Sequence, residues 1–151
     1  PKFNGRFFNV EIVYENAATN GDVDKNKVAS LDLGVNNLIT MIDSAMGEED
    51  RPPQIINGKP LKSINQYYNK IRAEIQQELI AEDRYCSHRM NKLTDARNQK
   101  IQDYMHKASR FVIRYCLANH IGSIVIGYNP GWKQEVNMRK ANNQNFVDTL
   151  C

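Results

Sequence analysis

Val28-Ala-Ser-Leu-Asp-Leu-Gly-Val-Asn-Asn-Leu-Ile-Thr-Met-Ile-Asp43 is the stretch from which the fold is read. Residues 28–33 have the composition of a buried strand and residues 34–37 that of a tight turn. Residues 38–42 form a second apolar run, long enough to pair back antiparallel. One residue breaks the apolar character: Asp32. An ionised carboxylate inside such a strand is costly unless positive charge or hydrogen-bond donors meet it. A divalent cation meets that need, and so do the backbone amides of the 34–37 turn. The residues themselves leave both readings open.

Outward from this hairpin, Gln54-Ile-Ile-Asn57 reads as a third short strand ending at an Asn-Gly turn. A long helix begins near Pro60, a residue suited to a first turn. Its seam is Leu61, Ile64, Tyr68, Ile71, Ile75 and Leu79, at steps of three and four. Residues 86–92 read as a polar loop. A second helix is expected from Thr94 to about Asn119, with Ile101, Met105, Ala108, Phe111, Val112 and Tyr115 on one face. Two helices so joined pack antiparallel. Gly122-Ser-Ile-Val-Ile-Gly127 is a further strand. Upstream, residues 6–15 alternate loosely, with Phe8, Val10, Ile12 and Tyr14 on one side of an extended segment, and residues 16–26 read as a flexible connection.

At 151 residues and 41% hydrophobic the chain can bury one ordinary core. It has no apolar run near the ~18 residues that suggest a membrane span and no signal peptide, so a cytoplasmic location without membrane partners is expected. Cys86, Cys116 and Cys151 are odd in number and unrelated in spacing, which speaks against a disulfide framework and against a zinc ribbon. Cys116 reads as a small core residue. Glu48, Glu49 and Asp50 are adjacent on a loop and read as solvated rather than as a metal cluster.

Charge is distributed unevenly. Residues 1–83 hold 9 Lys or Arg against 13 Asp or Glu, a net of −4; residues 84–140 hold 11 against 3, a net of +8. On the second helix Arg97, Lys100, Lys107, Arg110 and Arg114 share a contiguous arc, a stripe able to follow a phosphate backbone without reading bases. His106 lies on the same helix and is given a contact role. Lys133, Arg139 and Lys140 add positive charge to an amide-rich segment that also holds Trp132, the sole tryptophan.

Leu31-Asp-Leu-Gly-Val-Asn-Asn-Leu-Ile-Thr40 resembles the first RuvC-like motif of TnpB (OrfB) proteins, which are insertion-sequence-encoded, RNA-guided DNA endonucleases. Arg97, His106 and Lys107 resemble positions on that family's helix before its second catalytic strand. The resemblance implies an α/β, ribonuclease-H-like (RuvC-like) mixed sheet with a long antiparallel helical hairpin inserted between strands three and four. It also implies Mg²⁺ held by Asp32, two-metal phosphodiester hydrolysis in the full-length protein, and DNA and guide RNA as partners. Residues 1–26 would then end a preceding domain and connect it, and residues 27–151 would be a partial nuclease domain truncated before the zinc ribbon and third acidic motif, without zinc and inactive by itself.

At one point the pattern departs from the family. The second motif places a metal-binding Glu where this sequence has Gly127. Glu135, the only acid between Asp103 and Asp148, is the candidate for a relocated ligand. The segments Gly127-Tyr-Asn-Pro-Gly-Trp-Lys-Gln-Glu135 and Asn142-Asn-Gln-Asn-Phe-Val147 resemble a branch of the same family, which favours relocation. The alternative is a nuclease-dead, RNA-guided DNA-binding protein; an actin- or sugar-kinase-like nucleotide-binding domain, which also uses Asp-x-Gly on a first strand, is a third reading. The nuclease reading requires Asp32 to lie off the sheet's outer face and on the side of the basic helix.

Overall fold

The computed structural model describes residues 2–3, 8–15, 21–45 and 51–127. The chain enters through β1 (Lys2–Phe3) and β2 (Phe8–Asn9), which pair antiparallel. The extended strand expected over residues 6–15 does not continue past Asn9. Val10, Ile12, Val13 and Tyr14 are exposed and, among the described residues, paired with no strand; alternation makes a strand only where a neighbouring ladder accepts its hydrogen bonds.

Four strands form the main sheet: β3 (Asp24–Leu33), β4 (Asn37–Asp43), β5 (Gln54–Asn57) and β6 (Ile121–Ile126). Their order is β5-β4-β3-β6. The first three run as an antiparallel meander, whereas β6 lies parallel to β3. This is the mixed sheet expected. β3 starts four residues before Val28, because Asp24 is drawn into the ladder opposite Ile121 and its amide donates to the His120 carbonyl at 2.8 Å. A partner some hundred residues away sets that boundary, so no local pattern could show it.

Between β5 and β6 the chain forms α1 (Lys59–Ala81) and α2 (His88–Ala118). Asn65 meets Arg97, Tyr68 meets Thr94 and Glu78 meets Arg89, so the helices run antiparallel. α2 begins six residues earlier than Thr94. Its N-cap is Ser87, whose hydroxyl accepts the Met90 amide at 3.1 Å, and Ser is among the residues best suited to that role. Thr94 lies inside the helix and donates back to the Met90 carbonyl.

The helices cover one face of the sheet. Ala29 and Leu31 of β3 and Leu38 and Met41 of β4 pack with Leu61 of α1 and Ala108, Val112 and Cys116 of α2. Met105 and Phe111, expected on the inner face of α2, flank it and are substantially exposed, at 39% and 44%. Their place is taken by Tyr104 and Cys116, which pack in or against the core. Asn65 stands one step off the expected α1 seam and is buried there, accepting from Arg97 Nε at 2.9 Å.

Candidate functional site

Side chains on a strand alternate between faces, and β3 shows it plainly: Ala29 and Leu31 are buried while Ser30 and Asp32 are exposed. Asp32 therefore stands on the sheet face opposite the helices. Its ladder neighbours on that face are Thr40 of β4 and, beyond it, Ile55 of β5. Val125 of β6 and Ile42 share the face beside Ser30. The burial cost that suggested a cation for Asp32 is thus not present. Nor does the turn reading hold, because the Gly34 amide donates to the Leu38 carbonyl instead. No hydrogen bond or ion pair joins the Asp32 carboxylate to another described residue.

Across the parallel ladder, Ser30 faces Val125 and Leu31 faces Ile126. One residue further, Asp32 comes beside Gly127, whose amide donates to the Leu31 carbonyl at 3.1 Å. A side chain at position 127 would leave the backbone on the Asp32 face. Its Cβ would meet nothing nearer than the Leu31 carbonyl oxygen at 3.7 Å, an ordinary contact. The fold thus brings together Asp32 and position 127, the two positions singled out in the sequence, and the second of them is glycine. Among the described residues no group of three His, Cys, Asp or Glu side chains is arranged to hold a metal. Glu135 lies outside the described residues, as do Lys133, Arg139 and Lys140.

The basic arc lies elsewhere. Lys100, Lys107, Arg110 and Arg114 are exposed on α2, as is His106. The inner face of α2 packs on the side of β3 that Asp32 does not occupy, so the hydrocarbon of Ala29, Leu31, Ala108 and Val112 separates the arc from the carboxylate. Neither part of the condition set for the nuclease reading is met: Asp32 stands on the outer face, and the arc lies on the other side of the sheet. The condition was too strict in its first part, because a carboxylate that holds an ion against a phosphodiester has to stand open to that substrate, and the face of Asp32 is the open one; what the structure removes is a joint site of Asp32 with the arc. Lys107 also pairs with Asp103 at 2.7 Å, an exposed contact worth little. Arg97 turns inward between the helices: besides the bond to Asn65, its guanidinium carbon sits 5.6 Å from the Tyr68 ring centroid.

Among the described residues the one buried charged side chain is Asp43. It accepts Tyr115 Oη at 2.6 Å and the Ala45 amide at 2.9 Å, and Arg51 Nη1 lies 3.7 Å away. Arg51 also donates to Asn119, whose side-chain amide donates to the Tyr115 carbonyl. Burial, followed by the Asp43 hydrogen bond, pushes the Tyr115 hydroxyl above its usual range, and burial likewise raises the Cys116 thiol. The sequence offered a signal here, since Asp43 closes the apolar run of β4, but a polar end residue is more often solvated.

Most of the chain, residues 11–133, matches the family model OrfB_IS605, described as a probable transposase. No curated protein sequence matches it. No helix among the described residues is long and apolar enough to cross a membrane.

Proposed function

Because this chain belongs to the OrfB (IS605) family of probable transposases, we propose that it forms the ribonuclease-H-like core of a transposon-encoded, RNA-guided DNA endonuclease of the TnpB type, with Asp32 as its anchoring carboxylate. The observation that carries this reading is the side-by-side placement of Asp32 and position 127 on neighbouring parallel strands. Asp32 is next to last in β3 and Gly127 directly follows β6, so both lie toward the carboxyl ends of these strands, where α/β sheets gather their ligands. The sheet order, an antiparallel meander of three strands with the fourth parallel to the first, agrees with that scaffold.

The described residues do not by themselves fit a Mg²⁺ centre, since one carboxylate beside a glycine is a single ligand and such ions take several oxygen donors. Cutting therefore requires a second acid from another segment, for which Glu135 remains the candidate. The basic arc of α2 cannot hold a phosphodiester against Asp32, and its role in this reading is to bind nucleic acid on the opposite side of the domain. Guided binding without cutting is the second reading, favoured by Gly127.

Calorimetric titration with Mn²⁺ of the chain, of Asp32→Ala and of Glu135→Ala tests the proposal. Binding that is lost in both variants is the expected result. Binding unchanged in Asp32→Ala would remove that carboxylate from any site. Binding lost only in Asp32→Ala would exclude Glu135 and require a different second ligand. Absence of binding in all three supports the second reading.

A further inference from the structure

On the hairpin surface α1 and α2 part to leave a groove of about 340 Å³, at the lower end of the ~300–1,000 Å³ typical of small-ligand sites. It is lined by Ile64, Tyr67 and Tyr68 of α1 and by Leu93, Arg97 and Lys100 of α2, and no carboxylate lines it. Tyr68 and Arg97 are already fixed, by the hydroxyl contact to Thr94 and the guanidinium over the Tyr68 ring. Tyr67 is 61% exposed. Lys100 is exposed too and belongs at once to the groove and to the basic arc that runs on through Lys107, Arg110 and Arg114.

This combination of exposed aromatic rings, apolar lining and a cation shared with a basic track matches the chemistry of one unstacked nucleotide whose neighbours continue along a strand. A duplex offers its phosphates to such a track but keeps its bases out of a groove this size. We infer that the α1–α2 groove binds a base of single-stranded nucleic acid, stacked on Tyr67, with the adjoining phosphate at Lys100. The inference rests on the reading that the chain handles nucleic acid, but not on Asp32 or on cleavage.

Fluorescence anisotropy with labelled dT and rU oligonucleotides, and with a DNA duplex of equal length, tests it on the whole chain. Tyr67→Leu keeps the apolar bulk and removes the ring, and loses about 5- to 150-fold in affinity for both single strands. Tyr67→Phe retains binding. Lys100→Gln weakens single-strand binding as well, while Arg114→Gln, farther along the arc, weakens duplex and single strand alike. Both groove positions tolerate substitution, since Tyr67 and Lys100 are exposed; an unchanged helical circular dichroism spectrum verifies the fold. Single-strand binding in Tyr67→Leu within twofold of the parent overturns the groove assignment while leaving the arc intact. Failure of the parent chain to bind any of the three probes overturns the assignment and the nucleic-acid reading together. A loss confined to rU or to dT supports the groove and identifies which strand it takes.

Discussion

Tyr115 Oη donates to Asp43 Oδ2 at 2.6 Å, and this contact joins the last turns of α2 to the end of β4. The Asp43 side chain is 1% exposed and that of Arg51, its ionic partner, 21%. Removing one member of a buried ion pair leaves the other charge uncompensated, at a cost of about 3–5 kcal/mol. Asp43→Ala should fall near the lower end, because Arg51 keeps some solvent and the bond to Asn119. Urea denaturation of the two proteins measures the difference; a loss below about 1 kcal/mol, the scale of an exposed pair, would contradict the assigned role.

The same contact makes alkaline stability a readout. Tyr115 titrates above its ordinary value near 10.0, by burial first and by the Asp43 bond second. The folded state therefore holds the phenolic proton more tightly than the unfolded chain. Below about pH 10 both states are protonated and Tyr115 contributes no pH dependence. Above it the unfolded chain ionises first, and stability falls by up to ~1.4 kcal/mol per pH unit until the folded group also ionises. Tyr115→Phe should start less stable at pH 8 and show a shallower decline between pH 9.5 and 11. Parallel declines in the two proteins would assign the alkaline loss to other groups.

Restoring the acid at position 127 is a direct trial of the ladder register. Gly127→Glu meets no close atom at Cβ and sets a second carboxylate next to Asp32. Mn²⁺ affinity should rise at least tenfold over the parent, and the gain should vanish in Gly127→Glu combined with Asp32→Ala. A gain that survives in the double variant would mean that the two positions do not converge on one ion.

Gly58 anchors the turn that follows Asp32. Its amide donates to the Asn36 carbonyl at 2.8 Å, and a Cβ there would stand 2.2 Å from the Val35 carbonyl oxygen. The obstructing atom is backbone, so the turn itself must move. Gly58→Ala should cost about 1–3 kcal/mol, as overpacking does, and a thermal melt reads it. An unchanged melting temperature would show that the turn yields freely.

Much of the scaffold was legible in local pattern. The β3–β4 hairpin, the short β5, the helical pair and β6 were each readable from apolar periodicity, because periods of two and of three to four are properties of the backbone itself. The outer limits were not. β3 begins at Asp24 because Ile121 is there to pair with it. The true start of α2, by contrast, was written in Ser87, whose capping chemistry lay unnoticed inside a polar run.

For the candidate site the division is sharper. The amino-acid order alone determined the family, through the residues around Asp32, and determined that position 127 lacks an acid. It even held the clue to the exposure of Asp32, since Ser30 and Asp32 alternate with Ala29 and Leu31. Which polar residues the fold would close over, and which it would leave facing water, depended on where the helices came to rest. Packing α1 and α2 on the Ala29–Leu31 face left Asp32 outside, enclosed Asp43 with Tyr115, and put a hydrocarbon layer between the carboxylate and the basic arc. Contacts between residues tens of positions apart are selected by burial of apolar area, a quantity that exists only once the chain has folded.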